Sequence, residues 1–339
     1  MRRWSSHSDR GNRFCSGSVV RASRRFVTCP FAGLSHLPAV PKRIITLLLP
    51  LLLAPSLRAD PGVQGGEFDS SRMAAVVQES GAISLRANYS YTFESDFDRA
   101  SLGSLSLSRF NTTARVPIQL TERLRLQTGA TYRRLDFDAD AGLVPDQMQG
   151  LAALVGLEYL INGIPVAGLQ AAPGFYFIDD IESDTFNVPT LAYAGWRFSD
   201  KFVGIVGATY SGLRDDNKVI PIGGFLWSIS DDIKLNAILP VASLDFKIRD
   251  DLTVSVIGEY VGFRVHTGDD LDDSSYRDEA LKYMELRAGA QVSYEFSDSA
   301  SLRLSAGWAF RQEFEFEESD DSFRTDGAPF VGISVRKSF

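Results

Sequence analysis

Past residue 59 the chain carries one histidine, His266, next to Thr267 and ahead of the run Asp269-Asp270-Leu271-Asp272-Asp273 and of Ser274 and Ser275. Serine, histidine and aspartate are the parts of a hydrolytic triad, so this cluster could cleave a lipid ester. No G-x-S-x-G elbow holds either serine in a strained, exposed turn, and the plainer reading is a solvated loop histidine. Two acidic runs, Asp269 to Asp273 and Glu315 to Asp321, offer the carboxylate oxygens that hard cations want. Neither has the D-x-[DN]-x-[DN]-G spacing of a calcium loop. They read as loop charge, with bridging to lipopolysaccharide through Ca²⁺ or Mg²⁺ as the functional alternative. There is no glycine-rich phosphate loop, and no cofactor is expected. Both cysteines, Cys15 and Cys29, lie in the first 59 residues. The rest of the chain therefore has no thiolate metal site, no disulfide and no cysteine nucleophile.

A larger set of charges recurs inside alternating segments. Arg86, Arg123, Arg125, Glu158, Glu259, Glu285, Arg287, Glu295, Arg303, Arg311 and Arg336 fall on the polar side of stretches whose other side is apolar. Arg133, Asp245, Lys247 and Glu313 share that pattern. Such charges either line a water-filled lumen through which solutes pass or pair across a closed interior. The sequence leaves both open.

The elements that carry them are strands. Ile83, Leu85, Ala87, Tyr89, Tyr91 and Phe93 alternate with Ser84, Arg86, Asn88, Ser90 and Thr92, and Leu302, Leu304, Ala306, Trp308 and Phe310 with Arg303, Ser305, Gly307, Ala309 and Arg311. The last strand puts Val331, Ile333, Val335 and the terminal Phe339 on one face and Gly332, Ser334, Arg336 and Ser338 on the other, with Lys337 as a misfit. An arginine or lysine facing lipid at mid-bilayer costs about 2–4 kcal/mol, so clean apolar faces suit a lipid-facing wall. Aromatics including Tyr91, Phe93, Tyr132, Trp196, Phe198, Trp227, Tyr294, Phe296, Trp308 and Phe310 sit toward strand ends, as interfacial girdles do. A soluble sandwich core is the competing reading.

Export supports the membrane. Ile44 to Ala54 is an uncharged apolar run after Lys42-Arg43, with Ser56-Leu57-Arg58-Ala59 at a cleavage site, the three-part layout of a secretory signal. The run is too short for a spanning helix, which needs about 20 residues, and no cysteine follows it to take a lipid anchor. Residues 1–59 are read as this signal with an arginine- and serine-rich extension, for which a start at Val40 would suffice. Taking their 10 basic residues and 1 acidic residue from the 35 and 43 of the whole chain leaves 25 and 42, a net charge of −17. That balance disfavours nucleic acid, whose phosphates require a basic patch.

Turn signals divide the remainder. Short polar turns at Thr121-Glu122, Asn162-Gly163, Ser199 to Lys201, Ser230 to Asp232, Arg249 to Asp251 and Ser297 to Ser299 alternate with longer acidic connections. Outer-membrane barrels have that asymmetry, with tight periplasmic turns and long outer loops. The fold class expected is all-β, an antiparallel up-and-down transmembrane barrel over residues 82–339. Fourteen strands are expected if Leu239-Pro240 tips a short hairpin, because merging it would leave a proline in mid-strand; twelve is the runner-up. Asp60 to Gly81 is expected to be a periplasmic leader, or a plug entered by Met73 to Val77.

The segments Val219 to Trp227, Asn236 to Gly262, Arg311 to Phe316 and Asp326 to Phe339 resemble an uncharacterised family of outer-membrane barrels known only as a domain of unknown function. The resemblance covers residues 82–339 and implies outer-membrane location, contact with lipid and lipopolysaccharide, and insertion by the barrel-assembly machinery. That machinery would read the terminal strand through Val331, Ile333, Val335 and Phe339. The resemblance implies no substrate. The function expected is a porin-like channel or transporter for small solutes, with a closed structural or adhesion barrel bearing functional loops as the alternative and a lipid hydrolase as a remote one.

Overall fold

The computed structural model describes residues 82–339 apart from 141, 163, 211–218, 269–275 and 277–278. The signal, the leader or plug, the Asp269 to Asp273 run, Ser274 and Ser275 lie outside the described residues.

Fourteen strands run up and down. They are β1 (Ser84–Asp96), β2 (Ser104–Gln119), β3 (Leu124–Ala139), β4 (Gln147–Ile161), β5 (Ile164–Ala171 and Gly174–Phe177), β6 (Phe186–Asn187 and Thr190–Ser199) and β7 (Phe202–Tyr210). The ring continues through β8 (Val219–Ser228), β9 (Ile233–Asn236), β10 (Val241–Arg249), β11 (Leu252–His266), β12 (Ala280–Ser297), β13 (Ala300–Phe316) and β14 (Asp321–Arg324 and Ala328–Ser338). Pro173 and Pro189 interrupt β5 and β6 without changing their register, because a proline removes one ladder donor and leaves the extended chain intact. Each strand is antiparallel to its neighbours. Ser84 to Thr92 of β1 pair with Ser338 to Phe330 of β14, and the Phe339 N–H donates to the Ile83 carbonyl at 2.8 Å, so the ring closes. The strand number is fourteen, with the short β9–β10 hairpin present as a pair of its own.

Period-2 alternation sorts the side chains. Leu85, Phe93, Leu151, Val155, Leu157, Val206, Val256, Val292, Leu304, Val331, Ile333 and Val335 are exposed on the outer wall. Trp196, Phe198, Trp227, Phe296 and Phe339 are exposed near the short-turn end, and Phe93, Trp308 and Phe310 toward the long-loop end. An apolar belt between two aromatic rims is the outer face of a barrel in lipid. Lys337 lies at the lower rim, where its Nζ donates to Ser299 Oγ at 2.8 Å; a long stem reaching a polar partner makes an outward lysine tolerable.

The interior changes character along the axis. In the loop-end half Leu105, Leu107, Leu135, Phe137, Val265, Tyr283, Phe314, Phe316 and Phe323 form a buried core. Phe314 stands 5.2 Å from both Phe137 and Tyr283, ring centre to ring centre. Fourteen strands enclose more width than side chains can fill in a round barrel. Here the upper wall is drawn in: β5 and β11, six strands apart around the ring, approach within 8 Å, with the Tyr176 and Phe263 rings 6.4 Å apart.

One sector of wall is low. β9 has four residues, and on its β9 side β8 is bonded only from Ser228 up to Phe225, whose carbonyl accepts the Ala237 N–H at 2.9 Å. β11 is bonded on its β10 side only as far as Tyr260, whose N–H donates to the Pro240 carbonyl at 2.8 Å. Above that hairpin no strand among the described residues pairs with Val219 to Gly224 on one side or with Val261 to His266 on the other. Pro221 fits this edge: the Ser228 N–H points to β7 and the Phe225 carbonyl to β9, so by alternation its missing donor falls on the unpaired side.

Candidate functional site: the lower lumen

Below the aromatic core the lumen opens into a cavity of about 560 Å³ facing the short-turn end. Arg86, Asn88 and Ser90 of β1, Arg109 and Asn111 of β2, and Arg133 of β3 contribute to one wall. Arg287, Gln291 and Glu295 of β12, Arg303 and Ser305 of β13, and Ser334 and Arg336 of β14 continue it. Val203, Leu226, Ile257 and Val261 line the opposite side. Nine lysines and arginines border the cavity against five aspartates and glutamates, so its lining is net positive in a chain that is strongly acidic overall.

A charged layer separates this vestibule from the core. Arg287 Nε donates to Glu259 Oε2 at 2.6 Å, with Nη2 as a second donor to the same carboxylate. The Arg287 guanidinium also lies over the Phe330 ring at 4.6 Å. Arg109 Nε donates to Ser90 Oγ at 3.2 Å, and its Nη2 stands 3.8 Å from Glu259. The fully buried Glu285 accepts from Thr92 Oγ1 and Tyr283 OH at 3.3 and 3.2 Å. Of these, the Arg109–Glu259 and Thr92–Glu285 contacts link β2 to β11 and β1 to β12 across the lumen, while the Arg287–Glu259 and Arg109–Ser90 pairs lie between adjacent strands of the wall. Arg133 Nη1 also crosses the lumen, donating to the Gly262 carbonyl of β11 at 3.2 Å, with its guanidinium 5.4 Å from the Phe263 ring. By alternation from Tyr260, that carbonyl points to the unpaired edge.

A second network fills the β3–β6 side. Glu158 is fully buried and accepts from Arg125 Nε at 2.7 Å, Gln127 Nε2 at 3.0 Å and Tyr193 OH at 3.2 Å. Tyr193 folds across β5 onto Gly168, where a Cβ would stand 2.6 Å from its ring. A buried carboxylate is tolerable only when its lone pairs are occupied in this way.

Of the charges picked out by alternation, Arg86, Glu259, Arg287, Glu295, Arg303 and Arg336 border the vestibule, as do Arg133, Asp245 and Lys247. Arg125, Glu158 and Glu285 lie inside but in sealed networks. Three placements differ from the expectation. Arg311 and Glu313 are on the outer face and pair with each other, Arg311 half exposed and Glu313 also accepting from Arg324 Nε at 2.7 Å. Phe310 is an extra residue in β13 opposite the Leu286–Arg287 step of β12, and a bulge of one residue turns the side chains beyond it to the other face. Arg123 is exposed in the turn before β3, where strand alternation does not apply. Ser90 and Thr92 lie on the polar face of β1 that alternation assigns, though it singles out no role for them; Arg109 and Tyr193 were missed, and both fall on lumen parity, so extending the alternation through β2 and β6 would have found them.

His266 is not solvated. It is buried at the end of β11, with Nδ1 3.4 Å from Asp184 Oδ2 and accepting the Gly268 N–H at 3.3 Å. The second acidic run is ion-paired rather than mutually repelling. Lys282 Nζ meets Glu315 at 2.8 Å, Arg264 pairs with Glu317, and Arg99 Nη2 meets Asp321 at 2.6 Å. No group of three metal-ligating side chains occurs among the described residues.

Closed pairing, an apolar outer belt, aromatic rims and an interior lined in part by polar and charged side chains define an outer-membrane β-barrel, since a closed ring of strands satisfies its backbone in lipid while this outer face requires lipid. No protein-family model and no curated protein matches the sequence. Among solved structures the chain is similar to an outer membrane channel from Pseudomonas putida F1, at 13% identity over 77% of this chain and 97% of that one, TM-score 0.43. It is also similar to a mutant of the TodX monoaromatic hydrocarbon channel (10% identity, 78% and 92% coverage, TM-score 0.36) and to a FadL homologue of Pseudomonas aeruginosa (10%, 78% and 92%, TM-score 0.30). At these identities and scores the likeness carries no argument about what this chain does.

Proposed function

We propose that the protein is a channel-like carrier of small solutes, with anions preferred, in which the vestibule is the periplasmic half of the path and the aromatic core is its closed outer half. The observation that supports this reading is the net positive, water-facing cavity inside a strongly acidic chain. Low-dielectric walls focus the field of such charges on a solute in the cavity. Outer-membrane lipid and lipopolysaccharide surround the wall, and the barrel-assembly machinery reads the exposed Val331, Ile333, Val335 and Phe339.

Planar-bilayer recording of the refolded protein under a KCl gradient tests it. Stepwise currents whose reversal potential favours chloride are expected. A second reading, a closed scaffold acting through its outer loops, is favoured by the Thr92–Glu285 and Arg133–Gly262 bonds that cross the lumen; it predicts silence at all voltages. The hydrolase alternative predicts an ester-cleaving activity that a His266→Ala variant loses.

A further inference from the structure

The charges that border the vestibule are sorted by strand. On four consecutive strands, β13, β14, β1 and β2, they are Arg303, Arg336, Arg86 and Arg109, set among serine, asparagine and glycine. Among the described residues those strands bring no carboxylate to the cavity. Its five acids stand elsewhere: Asp231 and Asp232 in the β8–β9 turn, Asp245 on β10 opposite Lys234, Glu259 on β11 bound to Arg287, and Glu295 on β12.

Strand register brings three of the arginines together near the short-turn mouth. Arg86 and Arg336 are paired directly across β1 and β14, where the Cβ atoms of a pair stand about 4.5–5.5 Å apart. Like charges so placed weaken a sheet, so closure of the ring does not account for this pair. Arg303 is one diagonal step away, opposite Ser334, and Glu295 is one such step beyond it, opposite Ser301. Glu295 can offset one of the three positive charges. A phosphoryl group carries about two negative charges at neutral pH on three acceptor oxygens, enough to take charge-assisted bonds from two guanidinium forks at once. A carboxylate, with one charge and two oxygens, fills one fork. The next row inward is Ser334, Asn88 and Asn111, paired across β14, β1 and β2; these neutral donors and acceptors suit the polar body of a small phosphorylated molecule.

We propose that Arg86, Arg336 and Arg303 form a binding site for the dianionic phosphoryl group of a small phosphate monoester that enters through the short-turn mouth. This rests on the vestibule being the solute compartment, as in the channel reading, and narrows the anion it takes.

The probe is glycerol 3-phosphate, titrated calorimetrically into the full barrel refolded in non-ionic detergent at about pH 8, above the second phosphate ionisation near 6. Saturable binding is expected. The methyl diester of the same compound, with one charge, should bind at least tenfold weaker, and inorganic phosphate, without the polar body, about fivefold weaker. Arg86→Gln/Arg336→Gln should lose at least tenfold in affinity and still fold, read as heat-modifiable electrophoretic mobility, because it removes two opposed charges. Arg336→Lys keeps the charge without the fork and should lose about fivefold. Lys337→Gln makes the same charge change as one of those substitutions but on the outer rim, and should stay within twofold.

Absence of saturable binding, equal binding by the diester, or a folded Arg86→Gln/Arg336→Gln variant of unchanged affinity would each overturn the site. Equal binding by inorganic phosphate would overturn the monoester as its ligand. KCl conductance on the same preparation separates these failures from that of the channel reading: a chloride-selective barrel that binds no glycerol 3-phosphate keeps the channel and loses the site, and a silent barrel that binds it does the reverse.

Discussion

The loop-end and short-turn halves of the barrel share the same strands and the same alternation, yet one is packed like a soluble core and the other encloses a cavity lined with charge. At the loop end lumen positions carry Leu135, Phe137, Phe314 and Phe316, and the wall narrows until β5 and β11 meet. At the short-turn end the same parity carries Arg86, Gln291, Arg303 and Arg336, and the wall keeps its width. The contrast teaches that strand number alone does not set the bore. The side chains at inward positions, and whether opposite strands are drawn together to bury them, decide where the tube is open.

That contrast can be broken from either side. Phe314→Ala removes the ring touching Phe97, Phe137, Tyr283 and Phe323. It is expected to cost about 3–5 kcal/mol by guanidinium unfolding from lipid vesicles, and to raise bilayer conductance if the core is the gate. Glu158→Gln leaves Arg125 buried without its counter-ion and should cost about 3–5 kcal/mol in the same assay, while Arg125→Met/Glu158→Leu should restore most of it. Failure of the double variant to recover would mean that the network holds the local wall rather than only satisfying its own charges. Gly168→Val drives a side chain into the Tyr193 ring and should cost about 1–3 kcal/mol. Arg303→Ala, at the hydrated wall, should change stability by less than about 0.5 kcal/mol while shifting the reversal potential away from chloride.

The smallest effect lies outside the membrane. The hydrogen bond from Arg99, followed by that from Tyr276, lowers the Asp321 carboxyl from 3.8 to about 2. Because its pKa is depressed in the folded protein, the stabilisation is complete above the unfolded value. It is lost as pH falls through about 2. Arg99→Gln should move that transition upward toward pH 3.8, read as hydrogen exchange in residues 97–103.

Most of the wall was legible, because lipid outside imposes a strict period on every strand and the turns alternate short and long. The β9–β10 hairpin was legible through Leu239-Pro240, since a proline cannot sit inside a paired strand. Arg311 and Glu313 were misplaced because Ala309 and Phe310 are both apolar, so a one-residue bulge between them leaves no mark on the pattern. The sealed state of Arg125, Glu158 and Glu285 was hidden for a different reason: alternation says which way a side chain points, and nothing about what stands across the bore. The filled upper half was visible in principle, since Leu105, Leu107, Leu135 and Phe137 repeat on lumen parity, but only the charged side chains of the inner face were followed, and these left an open and a closed interior equally possible.

Pro221 has a consequence beyond its own strand. An open margin of backbone within a bilayer is a template on which a foreign strand could zip, and proline removes one of the donors such an intruder would need while Arg133 occupies the Gly262 acceptor on the facing margin. Pro221→Thr together with Arg133→Met should thus let the barrel capture neighbours, visible by native electrophoresis as species larger than those of the unsubstituted protein.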